Sequence, residues 1–423
     1  MNIKLRLIIM NFLQYFIWGS WLISLGSYVG NTLQFDGVQI GSFFATMGIA
    51  SLFMPGIMGI IADRWIEAQK LLGISHILGA GFLVAASFQT EYAPLYTCML
   101  LSVMFYMPTI SLSNTVAYNA LEEKGLDIVK DFPPIRVWGT VGFICAMWAV
   151  DFTGFKLSQA QLYLAAAAAL TLGIYAFTLP KCKIVPALPG EQKTLVDSLG
   201  LKAFALFKQK RMAIFFIFSM LLGAALQITN SFGDLFLSSF STIPEFADSF
   251  GVKHSVVLLS ISQMSETLFI LAIPFFLKKF GIKKVMLISM FAWVLRFALF
   301  GLGDPGPGLW MLILSMIVYG MAFDFFNISG SLFVEQNTSP AIRASAQGVF
   351  MIMTNGIGAI VGSYGAGVVV NHFTEIEQSS GLRVGDWPAA WYVFAGYALV
   401  VAIVFAIIFK YKHNPDQEVK VTH

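Results

Sequence analysis

Charge is the commodity this chain has least of. Its 423 residues include 26 Lys or Arg and 23 Asp or Glu, so only 12% are charged. A soluble domain carries roughly a quarter. A globule of this length could not cover its surface with so few charges. Soluble enzymes and disordered chains are thereby excluded, and a net charge of +3 gives no reason to expect a nucleic-acid partner. Cysteine is equally scarce. Cys98, Cys145 and Cys182 form no CxxC pair, so no disulfide framework is expected. The five histidines (His76, His254, His372, His413, His423) are scattered and build no HExxH spacing. No metal site and no cofactor are expected.

Apolar residues fill the space. They make up 57% of the chain, and the mean hydropathy is +0.75. A bilayer crossing takes roughly 20 apolar residues, so the supply suffices for about a dozen. Runs of that length predict helices near 5–30, 38–61, 71–89, 93–117, 134–151, 160–179, 212–238, 255–277, 285–302, 308–334, 344–370 and 387–409. Backbone groups in lipid must satisfy one another, which selects helices. The alternating pattern of a membrane β-barrel is missing. The first run has no A-x-A cleavage site and reads as a retained helix.

The longest polar stretch, 181–210, divides these runs six and six. The expected fold class is therefore an all-α polytopic membrane protein with twelve transmembrane helices in two six-helix halves, 1–180 and 211–423, joined by a cytoplasmic central loop. Lys and Arg set the orientation. Twenty-one of the 26 fall on the side shared by the two termini and the central loop, and only Lys156, Lys253 and Arg383 fall opposite. That bias places both termini in the cytoplasm. Arg136 and Arg296 lie inside apolar runs.

Polar groups at bilayer depth are costly and usually face a bundle interior or a wet cavity. Arg136, Thr140 and Phe143 share one face of the fifth helix, a cation, a hydroxyl and a ring suited to a polar, ring-bearing solute; a snorkelling Arg136 is the plainer alternative. The two prolines before Arg136 are expected to fix that helix's start. Gln227, Asn230 and Asp234 lie along the seventh helix, where amides can grip hydroxyls or a base edge or can simply bond helices together. Gln263 and Glu266 are one turn apart in the eighth, with Glu266 either a proton site or a partner for Arg296. In the tenth, Tyr319, Phe323 and Asn327 form a stripe with Asp324 beside it, a poorly solvated acid and second candidate proton site. Gln14, Trp18 and Trp21 share a face of the first helix and carry a weaker signal. Gly358, Gly362 and Ala366 form a small-residue stripe that reads as close helix packing.

The break G-I-I-A-D-R (Gly59 to Arg64) resembles the loop signature of the major facilitator superfamily, although Ile66 replaces its second glycine and the basic pair is reduced to Lys70. More specific are Q-Y-F-I-W-G-S-W-L, D-F-P-P-I-R-V-W-G-T-V-G-F, L-Q-I-T-N, S-E-T-L-F-I-L, A-F-D-F-F-N-I-S-G-S and S-P-A-I-R-A-S-A-Q-G, which resemble the bacterial nucleoside:proton symporters of that superfamily, through essentially the whole chain. The resemblance implies import of purine and pyrimidine nucleosides by alternating access in the inner membrane. It implies that Arg136, Thr140, Phe143, Gln227, Asn230, Gln263, Glu266, Tyr319 and Phe323 line the nucleoside site, that Asp324 couples the proton, and that the chain acts as a monomer in the lipid bilayer. One departure is Ala225, where the family carries an acid; coupling then falls to Glu266 and Asp324. A sugar or oligosaccharide symporter of the same fold is the nearest rival. A membrane enzyme would need a clustered His, Asp or Ser/Lys set at one face, and none is visible.

Overall fold

In the computed structural model, residues 2–182, 184, 201–339 and 342–411 are described. Most of the central loop (183, 185–200) and of the C-terminal tail (412–423) therefore lies outside them, with the expectations placed there. The described chain is mainly helical, with short connections and one small hairpin. The helices are α1 (Ile3–Gly19), α2 (Gly37–Arg64), α3 (Ala68–Ser87), α4 (Tyr92–Glu123), α5 (Ile128–Phe152) and α6 (Ala160–Ala176). There follow α7 (Lys210–Ser239), α8 (261–280), α9 (282–302), α10 (Leu309–Asn337), α11 (343–373, with a π-turn at Ile352–Gly358) and α12 (Trp387–Ile408). Nine helical stretches among the described residues are long and apolar enough to cross a membrane.

Local chemistry explains the ends. The Asn2 side chain accepts from the Lys4 amide at the start of α1, and Asp386 accepts from the Ala389 amide at 3.0 Å at the start of α12. Helix α1 stops well short of residue 30. Ser20 donates its hydroxyl to the Phe16 carbonyl, and the chain continues through a short helix, Leu25–Ser27, and a π-turn, Tyr28–Thr32. All of those residues but Thr32 stay buried, so the apolar run persists where the regular helix does not. Helix α5 begins a turn or more before expected and carries Pro133 and Pro134 inside it. The prolines therefore do not mark its start, and Arg136 sits in its third turn.

Ile261–Leu302 is helical except at Gly281, whose φ of 74° only glycine adopts cheaply. The chain doubles back there: Arg296 reaches the Ser262 hydroxyl at 3.3 Å, although the two would stand roughly 50 Å apart on one straight helix. Lys278, Lys279, Lys283 and Lys284 flank this corner.

The chain forms two compact units, Met1–Leu25 with Thr46–Leu201 and Gly26–Ala45 with Lys202–Thr422. In the first, α1 packs on α5, and α3 on α4 and α6. In the second, the α8–α9 hairpin packs on α10 and α12, and α7 on α11. The small-residue stripe has the expected use: a Cβ on Gly362 would stand 2.2 Å from the Ala224 carbonyl oxygen, so the backbones of α7 and α11 touch. Residues 26–45 join the second unit through polar contacts. Gly37 N–H donates to Asn371 Oδ1 at 2.5 Å, and Arg383 donates to the Phe35 carbonyl at 3.3 Å. Arg383 belongs to a two-stranded antiparallel hairpin, Thr374–Ile376 with Arg383–Gly385, too short for a hydropathy pattern to reveal. Expected as a loop cation, Arg383 is buried and bonded to Asn371 and Thr374.

Candidate functional site

The first unit places Arg136, Thr140 and Phe143 on the side of α5 that meets α1. The Arg136 guanidinium lies over the Tyr15 ring, 4.0 Å from its centroid. This is a cation–π contact and leaves the hydrogen-bonding fork in plane. Arg136 and Thr140 are partly exposed, and Phe143 is buried. Trp18 meets Phe143 edge-on at 6.3 Å and Tyr106 at 5.8 Å, and its indole N–H is buried without a partner. The weak stripe of α1 is thus the wall against which the α5 residues rest.

Behind that wall lies a network that hydropathy alone passes over. Gln14 Nε2 donates to Thr109 Oγ1 at 2.7 Å, and Gln14 Oε1 stands 2.8 Å from His76 Nε2. The Tyr106 hydroxyl donates to the Gln14 carbonyl at 2.6 Å. His76 is the missed residue. Its signal was an ionisable group within an apolar run of α3.

The second unit carries the other predicted residues on three helices and brings those of α8 and α10 together. On α7, Gln227 is buried with its Oε1 unpartnered, and Asn230 is partly exposed. On α8, Gln263 and Glu266 are partly exposed, and Gln263 hydrogen-bonds the Tyr319 hydroxyl. On α10, the rings of Tyr319 and Phe323 are parallel, with centroids 5.8 Å apart. Asp324 is 5% exposed, and its Oδ2 has no hydrogen-bond partner. Glu266, Tyr319 and Asp324 are close enough to interact electrostatically. Phe323 and Asn327 also line a half-open hollow together with Leu222, Trp293, Thr354 and Asn355.

Asp234, two turns along α7, is not part of this group. Its carboxylate accepts hydroxyls from Ser27 and from Ser255, the latter at 2.5 Å, and it holds the start of the 26–45 segment. Arg296 bonds Ser262, Thr229 and the Ser315 carbonyl and lies over the Tyr319 ring. Chemically, the second unit offers amide donors and acceptors, a stacked aromatic pair and a carboxyl with spare capacity, a set that fits a hydroxylated ring compound. Among the described residues, no group of three or more His, Cys, Asp or Glu is placed to hold a metal ion.

The comparisons with known proteins agree along the whole chain. Residues 1–414 match the family model described as nucleoside H+ symporter. The nucleoside permease NupG of Escherichia coli K12 is 54% identical over 414 residues, covering 98% of this chain and 97% of that protein. The xanthosine permease of the same organism is 55% identical over 419 residues, covering 99% and 98%. A crystal structure of the nucleoside transporter NupG aligns with a TM-score of 0.89 at 53% identity, spanning 97% of this chain and 100% of that one.

Proposed function

The chain belongs to the nucleoside H+ symporter family, as a multi-pass inner-membrane transporter that couples nucleoside import to protons, and on that premise we propose how its residues divide the work. Its helices cross the bilayer twelve times in two sets of six, counting α1, α6 and both arms of the Gly281 hairpin, with both termini and 181–210 in the cytoplasm. The Lys/Arg bias and the even count support this topology. The carrier opens to each side of the membrane in turn and works as a single chain.

Gln227, Asn230, Gln263 and Glu266 hydrogen-bond the ribose hydroxyls and the base edge. Tyr319 and Phe323 present stacked rings to the base; in the first unit Arg136 and Thr140 offer polar groups, and Phe143 a ring, of the same kind of chemistry. Amides that both donate and accept suit this role, because the sugar hydroxyls do the same. A site built to bond a hydroxyl rejects analogues lacking it far more strongly than an apolar pocket could.

Asp324 carries the proton, with Glu266 as its neighbour. The observation that carries the proposal is the buried Asp324 carboxyl with one oxygen unpartnered beside Glu266. A neutral carboxyl can cross the occluded state without burying an unpaired charge. The membrane potential then favours release inward by about 2.3 kcal/mol per charge per 100 mV.

Purified protein in liposomes, given labelled uridine and an inside-alkaline gradient, tests the whole reading. Accumulation above equilibrium, abolished by a protonophore and competed by nucleosides but not by hexoses or free bases, is expected. Gradient-independent uptake, or equal competition by a free base, overturns it.

A further inference from the structure

Arg296, like Arg383, is a strongly basic group buried in the second unit, and nothing in the transport scheme above uses it. It lies on α9, 2% exposed. Its hydrogen bonds go to hydroxyls and a carbonyl. Nη1 donates to Ser262 Oγ at 3.3 Å and to the Ser315 carbonyl at 2.9 Å, and Nη2 donates to Thr229 Oγ1 at 3.3 Å. Ser315 returns a bond from its hydroxyl to the Arg296 carbonyl at 2.9 Å. The guanidinium carbon stands 4.6 Å from the Tyr319 ring centroid and 5.4 Å from that of Phe300.

The placement of these partners is what matters. Thr229 adjoins Asn230 on α7. Ser262 adjoins Gln263 on α8. Ser315 lies one turn before Tyr319 on α10. Each helix of this unit that carries a proposed nucleoside contact is thus tied to one guanidinium, within a turn of the contact itself. We infer that Arg296 is a positioning residue for nucleoside recognition: it fixes the mutual register of α7, α8 and α10 and presses on the Tyr319 ring, so that the amides of α7 and α8 and the α10 ring pair meet the ligand in one geometry.

The chemistry favours arginine for this task. A packing role at this depth is filled more cheaply by Met or Leu, since a buried guanidinium is costly to desolvate. The planar fork offers five donors in fixed directions and stacks on an aromatic face, whereas a lysine ammonium offers a point charge. Only the first can bridge three helices and a ring together. Small displacements then matter, because a site loses affinity steeply once its groups leave their bonding geometry.

This inference rests on the assignment of Gln263 and Tyr319 to the nucleoside site, and the experiment separates the two. Uridine Kd, transport KM and Vmax, and melting temperature in detergent are measured for the parent, Arg296→Met, Arg296→Lys, Thr229→Val, Ser262→Ala and Tyr319→Ala. Arg296→Met is expected to raise Kd and KM about tenfold with less change in Vmax, and Arg296→Lys to recover part of that loss. Thr229→Val and Ser262→Ala each raise Kd two- to threefold, at the scale of one weak hydrogen bond. They carry the test if Arg296→Met does not fold. Lower yield or melting temperature with unchanged Kd across the Arg296, Thr229 and Ser262 series overturns the inference and leaves a purely structural arginine. An unchanged Kd in Tyr319→Ala overturns the site assignment instead.

Discussion

Two buried glutamines, one in each unit, are used differently, although the first unit also keeps unpaired buried atoms such as Asn11 Oδ1. In the first unit Gln14 has its amide nitrogen on Thr109, its amide oxygen on His76 and its backbone carbonyl on Tyr106. In the second, Gln227 is buried while its side-chain oxygen has no partner, and one oxygen of Asp324 shares that condition. A buried polar atom left unpaired costs about 1–3 kcal/mol. A fold that keeps such atoms in its middle gains something from them elsewhere, and a ligand that completes the bond is the simplest gain. The satisfied Gln14 amide ties helices together, whereas the unpaired Gln227 oxygen keeps an acceptor free.

Substitutions can break or sharpen that contrast. The largest effect is expected from Asp324→Asn, which should bind uridine yet only equilibrate it, losing the roughly 50-fold accumulation that one charge contributes at 100 mV. Uphill uptake by Asp324→Asn measured in energised liposomes would defeat the assignment. Next comes Gln227→Leu. It should raise KM about tenfold while the melting temperature holds or rises, because the change removes an unpaired buried oxygen. Gln14→Leu should do the reverse. His76 and Thr109 lose their partner, stability falls by about 1–3 kcal/mol, and KM shifts less than threefold. Smallest in transport should be Asp234→Asn. Its carboxylate is already satisfied by Ser27 and Ser255, so nucleoside affinity, followed by isothermal titration, should stay within about threefold of the parent. A tenfold loss there would erase the distinction between satisfied and waiting groups inside the second unit itself.

Much of the helix pattern was legible from hydropathy, since each run had to match the bilayer on its own. The exceptions teach why. The segment after Gly19 stays apolar because it is buried, although its backbone leaves the α-helix. The hairpin around Arg383 has three residues a strand, below the length at which alternation means anything. At the candidate site, polarity and helical spacing picked out Gln227, Gln263 and Asp324, because a polar group at bilayer depth stands out in a sequence. Neither signal could distinguish Asp234 from Asp324. Both are acids in apolar runs, and only their neighbours differ. Trp18, a weak signal in the sequence, meets Phe143 edge-on.

The amino-acid sequence alone determined that this chain lives in a bilayer and how its apolar runs are spaced. These follow from transfer free energies that each segment feels separately. The tertiary structure decided which polar groups are spent and which are spare. Ser27 reaches Asp234 across 207 residues, and Gln14 reaches Thr109 across 95. A hydrogen bond between helices depends on the rotation and crossing of both, which no local run encodes, so the division between adhesive and receptive side chains exists only once the helices are packed.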